Sequence, residues 1–220
     1  MMDRSELLSH VDHTLLRPEA TWTEIMHLCD EALKYKTASV CIPPNFVQAC
    51  ARYLQGRVKV CTVIGFPNGY NSVQIKVLET AEAIKNGADE IDMVINIGLV
   101  KDQQWGLVMD EILAVKKECR GKVLKVIIET CLLTDEEKKR LCRIVSNAEA
   151  DYIKTSTGFS TGGATREDVA LMVANVSRGV KVKAAGGIST LQDAEDFLAL
   201  GADRLGTSKV VKLIQAEENA

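Results

Sequence analysis

The stretch Asn86-Gly87-Ala88-Asp89-Glu90-Ile91-Asp92 returns twice more along the chain in altered form. It recurs as Ala148-Glu149-Ala150-Asp151-Tyr152-Ile153-Lys154 and as Leu200-Gly201-Ala202-Asp203-Arg204-Leu205-Gly206. Each copy closes a helical pattern, turns on a small residue and enters an apolar run through an aspartate. A helix-to-strand turn used three times marks a serial βα array rather than two unlike domains. Working outward, short apolar runs read as strands at 38–42, 58–64, 89–96, 122–129, 151–155, 180–184 and 203–206, with 11–16 as an eighth. Their near-continuous apolarity is that of parallel strands covered on both faces.

Helical patterns lie between them. Residues 21–35 carry Ile25, Leu28, Cys29 and Leu33 at helical spacing, with Thr21 or Thr23 as the cap. Residues 72–86 end at Gly87, a C-cap glycine. Thr134-Asp135-Glu136-Glu137 and Thr165-Arg166-Glu167-Asp168 each open a helix with acids in the first turn, and Thr190 opens one that ends at Gly201. Trp22 and Trp105 are expected on outer helices. Eight strand–helix units in 220 residues leave roughly 27 residues each, close to the minimum. The expected fold is a closed (β/α)8 TIM barrel, one domain over 1–220 with few insertions. A doubly wound open sheet is the alternative, but no G-x-G-x-x-G turn follows the first strand.

The 27 Lys and Arg against 30 Asp and Glu give a net charge of −3. That balance lacks the basic field that nucleic acid or an anionic membrane would need. No apolar stretch is long enough for a transmembrane helix, and the N-terminus has no apolar signal core. Seven cysteines with no C-x-x-C pair point to reduced thiols in the cytoplasm. Three histidines without H-x-H or H-E-x-x-H spacing give a catalytic zinc no support.

The anomaly is charge inside apolar strands, where it is rarely buried without a partner. Asp92, Lys154 and Lys183 each sit on such a strand. Alternation puts Asp92, Val94 and Asn96 on one face of theirs, and Lys125, Ile127 and Glu129 on one face of another. If those faces point inward, two lysines and a carboxylate meet in the barrel mouth. A lysine is nucleophilic only when neutral, and burial or a second cation frees its lone pair. One lysine can then form a Schiff base, the other acting as the perturbing charge, while a carboxylate shuttles protons.

Glycines form a second constellation. Ala184-Ala185-Gly186-Gly187-Ile188-Ser189 follows the seventh strand and Leu205-Gly206-Thr207-Ser208 the eighth, with Ser208 placed to begin the last helix. Bare amides and a helix N-terminus at these two strand ends suit a phosphate, hence a small phosphorylated substrate.

The runs starting at Lys154 (Lys-Thr-Ser-Thr-Gly-Phe), Lys183 (Lys-Ala-Ala-Gly-Gly-Ile), Glu90 (Glu-Ile-Asp-Met-Val-Ile-Asn) and Lys125 (Lys-Val-Ile-Ile-Glu-Thr) together resemble the deoxyribose-phosphate aldolase family. So do Asp12-His13-Thr14-Leu15-Leu16-Arg17-Pro18 and Ser39-Val40-Cys41-Ile42-Pro43-Pro44, so the likeness runs from about Asp12 to Ser208. It implies a class I aldolase on a (β/α)8 barrel, without metal or cofactor. The implied reaction is reversible cleavage of 2-deoxy-D-ribose 5-phosphate to acetaldehyde and D-glyceraldehyde 3-phosphate. Carried over, Lys154 resembles the Schiff-base lysine, Lys183 the lysine that tunes it and Asp92 the proton-relay carboxylate. Lys125 resembles a lysine lining the same pocket. Thr157, Gly186, Gly187, Gly206 and Ser208 look like substrate- and phosphate-binding positions. The implied partners are a small phosphorylated sugar and a second copy of the chain in a homo-oligomer, a dimer being favoured.

Other residues keep two readings. Cys41, at the end of its strand, is either a thiol reaching the substrate pocket or a small buried hydrophobe. His13 is either a base oriented by Asp12 or a cap on the first strand. Phe66 and Phe159 either narrow the pocket or pack. The last residues, Gln215 to Ala220, offer no aromatic group for proton transfer. Two rival functions remain: another phosphate-binding barrel enzyme, such as an isomerase or a different Schiff-base aldolase, and a catalytically silent sugar-phosphate binder, which would not need Lys154.

Overall fold

A computed structural model describes residues 2–219; Met1 and Ala220, the ends of the expected domain and tail, lie outside the described residues. The order is α1 (Arg4–Ser9), β1 (Val11–Thr14), α2 (Trp22–Tyr35), β2 (Ser39–Ile42), α3 (Val47–Leu54), β3 (Lys59–Ile64), α4 (Val73–Lys85) and β4 (Glu90–Val94). There follow α5 (Ile97–Lys101), α6 (Trp105–Glu118), β5 (Val123–Ile127), α7 (Asp135–Asn147), β6 (Tyr152–Lys154), α8 (Arg166–Asn175), β7 (Lys181–Ala185), α9 (Leu191–Ala199), β8 (Arg204–Thr207) and α10 (Val210–Glu218). The eight strands close into a parallel barrel in chain order. β1 pairs with both β2 and β8, which rules out the open sheet.

The repeated turn does a specific job. In each copy the aspartate exchanges two hydrogen bonds with one residue of the preceding strand. Asp89 donates its N–H to Val60 O at 2.8 Å and accepts from Val60 N at 3.2 Å. Asp151 does the same with Leu124 at 3.1 and 2.7 Å, and Asp203 with Val182 at 2.8 and 3.0 Å. The turn residue before each adopts positive φ: Gly87 at 104°, Glu149 at 54° and Gly201 at 101°. The motif therefore fixes strand register where each new strand joins the barrel. An aspartate acceptor suits this place, because it satisfies the N–H of the preceding strand's second residue just before the new strand begins.

Strand alternation divides the side chains cleanly. Val40, Ile42, Val60, Ile91, Met93 and Leu124 face the helices and belong to the main apolar core. Their neighbours face the barrel interior, where Asp12, Asp92, Lys125 and Lys183 are fully buried. The strands are thus apolar throughout on the helix side, while the interior side mixes these charges with Cys41, Cys61 and Val63.

Several boundaries differ from the sequence expectations. The first strand ends at Thr14, not at 16, and the expected 122–129 strand stops at Ile127. Glu129 takes φ +56° and caps a 3-10 turn, so it does not share a strand face with Lys125. Thr21, not Thr23, caps α2, through a capping box with Glu24. Ser208 does not begin the last helix, since α10 opens at Val210 after Lys209. The short helices α1, α3 and α5 and the longer α6 were not resolved by periodicity. Trp22 and Trp105 do start outer helices.

Candidate active site

Alternation from β4, β5, β6 and β7 brings the charged strand residues together. Asp92 Oδ1 accepts from Lys125 Nζ at 2.9 Å. Asp92 Oδ2 accepts from Lys154 Nζ at 2.8 Å and Lys183 Nζ at 2.7 Å. The two lysines and carboxylate expected in the barrel mouth are therefore one contact group. Its setting is richer than the sequence suggested. Lys183 Nζ also lies 2.5 Å from Asp12 Oδ2, and Lys125 Nζ 2.5 Å from Glu90 Oε2. Arg204 Nη1 lies 2.6 Å from Asp12 Oδ1 and 3.2 Å from Glu90 Oε2. Ser39 Oγ donates to Asp12 Oδ1, and Cys61 Sγ to Asp92 Oδ1.

These contacts set charge states. Burial disfavours a charged Lys183, but the Asp12 and Asp92 carboxylates outweigh it and raise its pKa above the ordinary lysine value. The same competition raises Lys125, with Asp92 the largest opposing partner to burial. Burial works against ionised Asp92 and Asp12 too, yet the surrounding lysines hold both below the usual carboxylate range. Lys183 and Lys125 are therefore held as cations and Asp92 as an anion.

A cavity of ≈ 580 Å³ opens above this group at the C-terminal ends of the strands. Lys154 lines it; Lys125, Lys183 and Asp92 do not. Register explains why Asp92 and Lys125 do not: Asp92 pairs with Lys125, Lys125 with Tyr152 and Ile127 with Lys154, so Lys154 stands two residues higher in the barrel. Lys183 is level with Lys154 but is drawn off the wall, fully buried between Asp12 and Asp92. Lys125 is therefore a buried partner of Asp92 and Glu90, contrary to the expectation that it lines the pocket. Cys41 is likewise off the cavity wall, fully buried beside Cys61 and Val63 with Leu16 and Phe66 against them. That is the buried-hydrophobe reading.

The expected phosphate region is at the cavity wall: Gly186, Gly187, Gly206 and Ser208 all line it. Gly186 and Gly187 both take φ +75°, a conformation that favours glycine. Gly206 has a different reason to be glycine. A Cβ there would meet Lys183 Cε at 3.1 Å, so the missing side chain makes room for the lysine. Arg17, Lys209 and Lys212, which the sequence reading passed over, add cations to the wall.

Thr157 lines the cavity and is held from below. Its hydroxyl donates to Glu129 Oε2 at 2.5 Å and its N–H to Glu129 Oε1 at 3.2 Å. Thr157 Oγ1 also accepts from Phe159 N. Phe159 lines the cavity and meets Phe66 edge-on, ring centroids 5.3 Å apart, so Phe159 narrows the site while Phe66 packs behind it against Cys41, Cys61 and Val63. His13 points away from Asp12, toward α2, where Nε2 lies 2.7 Å from Glu31 Oε2. Neighbours on a strand face opposite ways, so Asp12 cannot orient it.

Asp12, Glu90 and Arg204 were missed as members of the charge group, although each is a charged residue on an apolar strand and the same rule would have found it. Glu129 was hidden by its assignment to a strand. Among the described residues two clusters of metal-ligand type occur, Cys41 with Cys61 and Asp92, and Asp12 with Cys61 and Glu90. Their carboxylates already carry lysine or arginine partners within 2.5–3.2 Å. The cation role is filled by side chains, so these donors do not fit a metal ion.

Fold and site together define an aldolase of the DeoC/LacD family: the family model matches residues 4–206, and the chain belongs to it. Its relatives name a narrower group. A deoxyribose-phosphate aldolase of Streptococcus pyogenes serotype M4 is 55% identical over 216 residues, spanning 98% of this chain and 97% of the relative. One from Streptococcus agalactiae serotype Ia is 54% identical over 217 residues, spanning 99% and 97%. The tetrameric deoxyribose phosphate aldolase of Aeropyrum pernix superposes with a TM-score of 0.91 at 32% identity, covering 98% of this chain and 92% of that one.

Proposed function

We propose that this chain reversibly cleaves 2-deoxy-D-ribose 5-phosphate to acetaldehyde and D-glyceraldehyde 3-phosphate, with Lys154 as the Schiff-base nucleophile. The observation that carries the assignment of Lys154 is its position. Of the three lysines on Asp92 it alone lines the cavity. Neutral Lys154 adds to the C1 aldehyde of the open-chain sugar, and loss of water leaves an iminium. The C3 hydroxyl gives up its proton, the C2–C3 bond breaks, and its electron pair enters the C1–C2 enamine. Glyceraldehyde 3-phosphate departs with C3 as its new carbonyl. Protonation of the enamine at C2 and addition of water at C1 then release acetaldehyde and the lysine.

The proton traffic belongs to Asp92 and Lys183. Neither lines the cavity, so protons reach them through Lys154, whose ammonium lies 2.8 Å from Asp92 Oδ2. Lys183, held charged between two carboxylates, supplies the nearby positive charge that favours a neutral Lys154. The phosphate sits at Gly186, Gly187 and Ser208, remote from the breaking bond, where its binding energy orients the chain. We read 1–220 as one catalytic domain. Seven cysteines without a disulfide support a cytoplasmic setting, and no helix is long and apolar enough to cross a membrane among the described residues. Exposed Ile75 and Leu78 on α4 and Leu107 on α6 support a homo-oligomer, a dimer being favoured, which light scattering would test.

Borohydride reduction in the presence of deoxyribose 5-phosphate, followed by peptide mass mapping, tests the mechanism. The expected result is one adduct, on Lys154; an unlabelled Lys154 overturns it. Lys154→Ala is expected to lose turnover yet still bind phosphorylated ligands.

A further inference from the structure

The interior of the barrel holds four cations and three carboxylates in one network: Lys125, Lys154, Lys183 and Arg204 against Asp12, Glu90 and Asp92. The partners are unequally shared. Lys125 has three carboxylates within 4 Å, Lys183 has two and Arg204 has two. Among the described residues Lys154 has only Asp92, which it shares with the other two lysines. With every group charged, the network carries one positive charge too many; with Lys154 neutral, it balances. In a buried medium that imbalance is costly, and it is relieved where a proton is least well paired and the amine reaches the cavity.

We propose that Arg204 is a positioning residue for catalysis: by occupying Asp12 and Glu90 from the N-terminal end of the barrel, it creates the surplus charge that frees the Lys154 amine at the other end. The proposal rests on Lys154 being the imine-forming residue. Arg204 begins β8, beyond the reach of any substrate in the cavity, and its guanidinium is anchored by Asp12 and Glu90 with Tyr152 beside it. Without it, those two carboxylates turn their full attraction on Lys125 and Lys183. The network then balances with Lys154 protonated, which silences the nucleophile. The titratable groups around Lys154 in the interior are Asp12 from β1, Cys41 from β2, Cys61 from β3, Glu90 and Asp92 from β4, Lys125 from β5, Tyr152 from its own strand, Lys183 from β7 and Arg204 from β8. Arg204 and Glu90 are the pair of opposite sign at the far end of this network.

The test is the pH profile of kcat/KM for retro-aldol cleavage, read in charge-altering variants. Arg204→Met is expected to move the acid limb to higher pH by on the order of one unit, a roughly tenfold loss below the limb that is regained in alkali. Arg204→Lys should restore most of the wild-type profile. Glu90→Gln should move the limb the opposite way, and the Arg204→Met/Glu90→Gln double variant should bring it back. A structural defect gives no such opposed and compensating shifts. Equal losses at all pH values, or shifts of the same sign in both single variants, overturn the proposal. If Arg204→Met does not fold, the direction of the Glu90→Gln shift decides. Borohydride labelling of the wild type separates the two readings: label absent from Lys154 sinks the Schiff-base assignment, whereas label present with unmoved limbs sinks only the role of Arg204.

Discussion

Lys154 and Lys183 meet on a single oxygen: Asp92 Oδ2 lies 2.8 Å from the first ammonium and 2.7 Å from the second. Their strands are adjacent and the two residues are register partners. Two cations converging on one acceptor repel each other, and only one of them has a second carboxylate. Lys183 is thus tied from two sides, Lys154 from one, and Asp92 links the two amines directly.

Asp92→Asn should remove both functions of that oxygen. The amide keeps the shape but not the charge, leaving buried lysines uncompensated. Turnover is expected to fall about 10²–10⁴-fold, and stability by about 3–5 kcal/mol. Steady-state kinetics and urea unfolding measure the two separately; unchanged turnover would refute the relay.

Gly206→Ala should be costly without touching any charge. The added methyl would meet Ala185 Cβ at 3.0 Å and Lys183 Cε at 3.1 Å. Overpacking of this kind costs about 1–3 kcal/mol, and displacing Lys183 should lower kcat more than it raises KM. An unaltered kcat would show that the lysine moves aside freely.

Acid should unfold the protein partly through Asp12 and Asp92. Both have folded pKa values below the ordinary range, held there by lysines against the effect of burial. Their stabilisation is complete above about pH 4, the unfolded carboxylate value, and drains away as the pH falls toward the folded values. Lys183 and Lys125 behave oppositely: raised when folded, they stabilise fully below about pH 10 and lose that contribution as the pH rises further. Unfolding free energy should thus be flat from these groups at neutral pH. In Asp12→Asn its slope below pH 4 should be shallower than in the wild type, as denaturant titrations at stepped pH would show.

A second buried pair is a structural pin. Lys76 Nζ, fully buried on α4, donates to Gly69 O at 2.6 Å, Val94 O at 2.7 Å and Glu111 Oε1 at 2.5 Å. Glu111 also accepts from Asn96 N. It ties the loop after β3, which carries Phe66, to the end of β4. Lys76→Met is expected to cost about 3–5 kcal/mol by stranding Glu111. Adding Glu111→Gln should recover part of that; a double variant no better than the single would mean that the lost carbonyl bonds dominate.

Glu129→Ala should loosen the loop that carries Thr157 and Phe159. The loss of its bonds to Thr157 leaves buried polar groups unpaired, worth about 1–3 kcal/mol. KM for the phosphorylated substrate should rise several-fold, while Glu129→Gln, which keeps an acceptor, should stay near the wild type.

Much of the site was visible in the chain because charge on an apolar strand has few cheap explanations. Lys154, Lys183 and Asp92 stood out on that ground, and the glycines after β7 and β8 stood out beside them. Lys125 did not go where expected and Cys41 took the second of its two readings, since a residue's height in the barrel follows from the stagger between strands. Lys76 and Glu111 carried no signal, because charges on helices are ordinarily solvated.

By itself, the sequence determined the βα order, the repeated aspartate turn and the side of each strand that carries charge. These are local matters: turn chemistry acts over a few residues, and side-chain alternation has a period of two. Only the tertiary structure decided which lysine reaches the cavity, that Asp12, Glu90 and Arg204 complete the charge network, and that Gly206 makes room for Lys183. Those outcomes depend on the register between strands remote in sequence. Closure of β8 onto β1 sets Asp12 opposite Gly206, a pairing that no local pattern encodes.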